Sequence, residues 1–126
     1  MPNFKRKPKK QRFTKKTNVN DSFYATNKWK KYSVMLRHQQ VFCAACLDET
    51  FIGKGSRGAL DHVIPLVKGG SRWNEENLIG LCVSCHATKT FLDNLQSSPL
   101  IPYIRREDGL VPLNKQMIVD VIRSAF

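Results

Sequence analysis

The chain has 126 residues, enough for one domain with a modest core and too few for two. Lys and Arg total 21 against 10 Asp and Glu, a formal charge of +11 that points to nucleic acid or another anionic surface and away from basic partners. The apolar runs fall far short of the ~20 residues of a membrane helix, and the basic N-terminal region lacks the apolar run of a secretory signal, so no membrane partner and a reducing, cytoplasmic setting are expected.

The charge is uneven along the chain. Residues 1–31 hold 11 basic side chains and one acid, whereas residues 32–126 hold 10 basic and nine acidic ones. The densest stretch contains Lys5, Arg6, Lys7, Lys9, Lys10, Arg12, Lys15 and Lys16, with Pro2 and Pro8 nearby and only Phe4 and Phe13 apolar. Such a composition cannot build a core, so residues 1–22 read as a basic disordered arm. Its cations suit phosphate binding by counterion release; a solubilising tail and a targeting signal are the other readings.

A helix is expected from Asn27 to about Val41, with Trp29, Tyr32, Leu36 and Met35 near helical spacing and His38 at the surface. Gly53-Lys54-Gly55-Ser56-Arg57-Gly58 has the spacing of a dinucleotide fingerprint, but a short β-prone segment closed by Pro65 follows where that motif needs a helix. The glycines are therefore read as a loop between short strands. Ala59–Ile64 and Leu78–Leu81 are the expected strands, separated by a turn at Lys68–Ser71 and a polar loop at Trp73–Asn77. A helix is expected from about Ser84 to Leu95, broken by Ser97-Ser98-Pro99. A last helix starts after Asn114, with Ile118, Val121, Ile122 and Ala125 as its buried face.

The four cysteines form two C-x2-C pairs, Cys43 with Cys46 and Cys82 with Cys85, separated by 35 residues. A two-residue gap lets both sulfurs reach one tetrahedral ion from a tight turn, and two such knuckles make a closed four-thiolate zinc site with no position left for substrate. A reducing compartment disfavours two disulfides, and a thioredoxin-like redox role lacks its βαβ context. The zinc also answers a size problem, because binding worth ~10–16 kcal/mol goes largely into folding.

Between and after the knuckles the sequence LDHVIPLVKGGSRWNEENLIGLCVSCHATKT resembles the core of an HNH endonuclease. The name-giving positions correspond to His62, Asn77 and His86. The Pro65 and Gly69-Gly70 turn, the flanking knuckles and Lys89-Thr90 resemble the zinc-containing branch, and Trp29-Lys30-Lys31 to Cys46 resembles the lead-in of phage and bacterial members. The resemblance covers about Tyr24 to Thr90. It implies an α+β fold: a ββα-metal core stapled by a four-cysteine zinc site, with a flanking N-terminal helix and a C-terminal helix. The implied organisation is the arm over 1–22, the nuclease domain over 23–96, and a C-terminal extension over 97–126 that packs on the core or forms a dimer contact.

The resemblance implies hydrolysis of DNA phosphodiester bonds, by nicking or double-strand cleavage. His62 is then the candidate general base, since an imidazole titrates near neutral pH. Asp61 and His86 are candidate ligands of one catalytic divalent ion, Mg2+ or Mn2+ in use, with Ni2+ or Zn2+ admitted by the imidazole. Neighbours on a regular strand face opposite sides, so Asp61 and His62 can act together only if the strand ends, bulges or twists, or if the phosphate lies between them. Cys85 and His86 would diverge by about 100° in the first turn of a helix, so one can face the zinc and the other the catalytic ion. Asn77 either hydrogen-bonds the loop backbone and holds His62 or serves as a metal ligand. Thr90 stands where some branches carry a second helical His, which makes Asp61 more necessary. Lys89, Arg57 and Arg72 are candidate phosphate contacts or plain surface charge. Implied partners are DNA, phage packaging proteins or a second copy of the chain, in a bacterial or phage-infected cell. The competing class is a non-catalytic zinc-ribbon nucleic-acid-binding protein.

Overall fold

The computed structural model of the chain describes residues 19–46 and 49–125. The arm cations Lys5, Arg6, Lys7, Lys9, Lys10, Arg12, Lys15 and Lys16 lie outside the described residues. Two helices, α1 (Val19–Tyr24) and α2 (Asn27–Gln40), precede the strands β1 (Ala59–His62) and β2 (Leu78–Leu81) and the helix α3 (Val83–Asn94). A hairpin of β3 (Tyr103–Arg106) and β4 (Gly109–Pro112) and a last helix, α4 (Lys115–Ser124), complete the chain. No helix among the described residues is long and apolar enough to cross a membrane.

The described part of helix α1 runs from Val19, within the residues 1–22 read as the arm. What brings it onto the domain is Phe23, which buries its ring beside Trp29 and Trp73. Helix α2 starts where expected, but its cap is Thr26, whose hydroxyl accepts from the Trp29 N–H at 3.2 Å. It ends at Val41, which takes φ 74° and donates its N–H to the Arg37 carbonyl at 2.8 Å. Trp29 and Leu36 are its buried stripe, whereas Met35 is exposed.

Strands β1 and β2 pair antiparallel, with Ala59 opposite Leu81 and His62 opposite Leu78. Burial alternates along β1, where Leu60 and His62 are buried and Asp61 is less so. All four residues of β2 are buried because both its faces are covered. One cluster packs Phe23, Trp29 and Leu36 against Leu60 and Leu78. The other gathers the cysteines with Ile52, Val63, Ile79, Leu81 and Ile101. Gly53 to Gly58 is an irregular turn leading into β1, as its rejection as a dinucleotide motif requires.

The hairpin was not expected from the sequence, although Asp108-Gly109 between two extended runs is a strong turn signal. Gly109 sits at φ 145°, and a Cβ there would lie 2.8 Å from the Ser71 backbone. The Ser71 N–H donates to the Leu110 carbonyl and the Leu110 N–H to the Gly69 carbonyl, both at 2.8 Å, which ties the hairpin to the connection between β1 and β2.

Helix α4 is capped by Asn114, whose side-chain oxygen accepts from the Gln116 N–H at 2.8 Å. Ile118, Val119 and Ile122 enter the cysteine cluster. Val119 takes the place expected of Ala125, which is exposed, and Val121 is half-buried. The apolar face of α4 is thus spent on this chain's own core.

Candidate metal and catalytic site

Cys43 and Cys46 lie in the turn after α2, and Cys82 and Cys85 open α3, where Cys82 is the helix cap. One sulfur from each cysteine falls within 4.8 Å of all the others. None is in a disulfide, and Cys43, Cys82 and Cys85 are buried. Burial and the neighbouring thiols push the Cys85 thiol up from its ordinary value, so a set of thiolates here calls for the charge of a cation. Four soft sulfurs at this spacing fit one Zn2+ in tetrahedral coordination, as the two knuckles led us to expect. The Thr50 hydroxyl donates to the Cys46 sulfur at 3.2 Å, a further restraint on that ligand.

His86 follows Cys85 on α3, its N–H held by the Cys82 carbonyl at 2.8 Å. Its Nε2 lies 3.8 Å from Asp61 Oδ1, with the His86 side chain 39% and the Asp61 side chain 17% exposed. An imidazole nitrogen and a carboxylate oxygen at this separation can both reach one divalent ion at ~2.1 Å each, with water and phosphate oxygens filling the remaining positions. No third Asp, Glu, His or Cys joins them among the described residues.

Lys89 corrects the sequence expectation of a phosphate contact. Its side chain is fully buried, and its ammonium donates to the His62 carbonyl at 2.8 Å and to Asp93 Oδ2 at 2.6 Å, and lies 3.0 Å from Asp61 Oδ2. It joins α3 to β1 and leaves Asp61 Oδ1 on the His86 side. Burial raises the Asp93 carboxyl above its usual range even against the pull of this ammonium. Lys89→Met should therefore cost about 3 kcal/mol of stability in chemical unfolding, because it strands two carboxylates without their partner. A loss below about 1 kcal/mol would mean that the pairs are solvated.

His62 faces the other side of β1, as strand alternation requires, and is 1% exposed. Its ring stacks on Trp29 with centroids 4.9 Å apart and meets Phe23 and Tyr24 at 5.7 and 5.6 Å. Nε2 is 3.0 Å from the Arg72 carbonyl and Nδ1 is 2.8 Å from the Tyr24 hydroxyl. A carbonyl can only accept, so Nε2 carries the proton, and in the neutral ring Nδ1 accepts from Tyr24. Burial lowers the His62 pKa, against the opposing effects of the Arg72 carbonyl and the Asp61 charge, so the ring is neutral at pH 7 with its basic lone pair on Nδ1. Burial, and then the charges of Asp61 and Asp93, push the Tyr24 phenol up.

Asn77 ends a short 3₁₀ turn (Glu75–Asn77) and is fully buried. Its Oδ1 accepts from the Ile64 N–H at 2.7 Å, and its Nδ2 donates to the Ile64 and Ser71 carbonyls at 3.1 and 2.9 Å. These bonds staple the connection that follows His62. Gly70 makes the staple possible, since a Cβ there would lie 1.8 Å from the Ile64 oxygen. Arg72 is exposed, with its guanidinium 5.5 Å from the Phe23 ring, beside the covered face of His62. Arg57 is exposed and lines a groove next to Cys46, Cys82 and Ser84, on the zinc side.

Tyr24, Trp29, Trp73 and Asp93 were not singled out as site residues from the sequence. Tyr24 and Trp29 reach the site from elements far from it in sequence, Trp73 follows Arg72, and Asp93 stands four residues after Lys89 on α3. The structure brings Asp61, His86 and Lys89 together on one side of β1, and His62, Tyr24 and Arg72 on the other.

The model of the family described as HNH endonuclease matches residues 43–92, from the first zinc knuckle into the last turn of α3. No curated protein and no solved structure matches the chain. The matched span holds both cysteine pairs, the β1–β2 ribbon, Asn77 and the α3 histidine in one α+β unit, and it is over this span that the chain is similar to the HNH endonuclease family.

Proposed function

We propose that the chain is a metal-dependent endonuclease that hydrolyses DNA phosphodiester bonds. The observation that carries this reading is Asp61 Oδ1 at 3.8 Å from His86 Nε2, with His62 the next residue on the strand. When bound, a hard divalent ion, Mg2+ or Mn2+, would supply Lewis-acid stabilisation of the scissile phosphate and of the leaving oxygen. Asp61 and His86 would hold it. Lys89 fixes the second oxygen of Asp61, and the zinc knuckle fixes the helix turn that presents His86. His62, with its Nε2–H anchored on the Arg72 carbonyl, takes a proton from the attacking water at Nδ1. Asn77 keeps that connection rigid. Arg72, and Arg57 further off, neutralise phosphates, and the cations of residues 5–16 draw DNA to the domain. The setting is a bacterial or phage-infected cell, with genome packaging as one role for such an activity.

A second reading, a non-catalytic zinc-ribbon nucleic-acid-binding protein, is favoured by one observation: His62 is buried with both ring nitrogens engaged. A plasmid-nicking assay separates the two. Supercoiled plasmid should relax with Mg2+ or Mn2+, and Asp61→Ala should lower the rate at least ~100-fold while DNA binding persists. A wild type that binds DNA but stays inactive across Mg2+, Mn2+, Ni2+ and Zn2+ would favour the binding protein.

A further inference from the structure

We propose that α1 is an autoinhibitory cover over the catalytic base, and that Tyr24 is the residue that closes it. The proposal rests on the nuclease reading with His62 as base. A water that gives its proton to His62 must stand at Nδ1, the ring's one lone pair in this tautomer. The Tyr24 hydroxyl holds that position at 2.8 Å. Trp29 stacks on one ring face and Phe23 meets the ring in an edge contact beside it, so the nitrogen is occupied by a hydrogen-bonded phenol within a packed aromatic group. The phenol does not replace water as the nucleophile, because burial and two nearby carboxylates disfavour its ionised form.

The cover is built to lift. The described part of α1, Val19–Tyr24, is held on the domain through Phe23 and Tyr24. Two exposed cations lie on the aromatic rings of this cluster: Arg72 at 5.5 Å from Phe23 and Lys28 at 4.5 Å from Trp73. DNA phosphates compete for both cations. Substrate therefore binds the open form better than the closed one, which is the condition for it to shift the balance. In the absence of DNA the closed form keeps the base from activating water.

The test uses the full chain and two variants, Tyr24→Phe, which keeps the ring and removes the hydroxyl, and Tyr24→Ala. Diethyl pyrocarbonate labelling of the free protein, read by mass spectrometry, compares His62 with exposed His38 and half-exposed His86 in the same molecule. His62 should label far more slowly than the other two in wild type, faster in Tyr24→Phe and faster again in Tyr24→Ala. Nicking at DNA concentrations well below saturation, where the closed form still dominates, should speed up roughly three- to tenfold in Tyr24→Phe, the loss of one hydrogen bond from the closed state. Wild-type His62 labelling as fast as His38, or Tyr24→Phe nicking at or below the wild-type rate, would overturn the cover. The two readouts also part this proposal from the nuclease reading. An active wild type with unprotected His62 sinks only the cover. An inactive wild type with protected His62 sinks the nuclease reading, and the inhibitory role with it.

Discussion

Stripping the four-cysteine cluster of zinc with a strong chelator should abolish the cooperative unfolding transition of the domain, and Cys82→Ser with Cys85→Ser should do the same. The cysteines lie at the centre of the larger core cluster, among Ile52, Val63, Ile101, Ile118 and Ile122, and three of the four are buried. They join elements that have little else in common: the turn after α2, the start of α3, and α4, whose Arg123 donates to the Ala45 carbonyl at 3.1 Å. Structural zinc contributes ~10–16 kcal/mol of apparent binding free energy, while whole domains are stable by only ~5–15 kcal/mol. Removal therefore exceeds what the two small apolar clusters can offset. Calorimetry with stoichiometric metal analysis checks this, with one zinc per chain expected and a transition restored by added Zn2+. An unchanged transition in the metal-free protein would show that the thiols pack as plain apolar groups.

His62→Ala should lower single-turnover cleavage by ~10²–10⁴-fold, the usual contribution of a general base, and leave DNA affinity nearly unchanged. The buried ring presents nothing to the outside, so the loss should fall on the chemical step and not on binding. Alanine also removes the partner of the Tyr24 hydroxyl and the Arg72 carbonyl and opens a space beside Trp29, so a stability loss will accompany it. His62→Gln controls for this, because it keeps polar atoms in place and lacks a proton acceptor of suitable strength. Both variants should be equally slow if the imidazole acts as a base. Cleavage by folded His62→Gln at the wild-type rate would remove His62 from the mechanism.

Much of the site was legible because its signals are local. Cys43–Cys46 and Cys82–Cys85 declare a metal by spacing alone, and Leu78–Leu81 and α4 follow from short apolar patterns closed by turn residues. Strand alternation lets Asp61 and His62 act together only if the strand ends, bulges or twists or the phosphate lies between them; β1 ends at His62, and burial alternates between the two. Three things were not legible, each for its own reason. Lys89 looks like a helix-surface cation, yet two of its partners, Asp61 and His62, stand on a strand far earlier in the chain, and no pattern within α3 announces them. Tyr24 and Trp29 meet His62 across long stretches of sequence, so the aromatic cover exists only in three dimensions. The β3–β4 hairpin did carry its local signal at Asp108-Gly109; two flanking prolines masked it, Pro102 just before β3 and Pro112 at the end of β4, where a missing N–H costs little.

The Asn77 staple has a consequence for motion. A connection as long as that between β1 and β2 would ordinarily open and close on its own, and its amides would exchange with solvent far sooner than those of the ribbon. Here the Ile64 amide ends on a buried side-chain oxygen, and the Ser71 amide ends on the hairpin. The connection becomes an arch whose opening requires disruption of the core itself. His62 is thereby held between two unlike supports, an arch tied to the core by backbone and side-chain hydrogen bonds and the aromatic contacts of Phe23 and Tyr24 from α1.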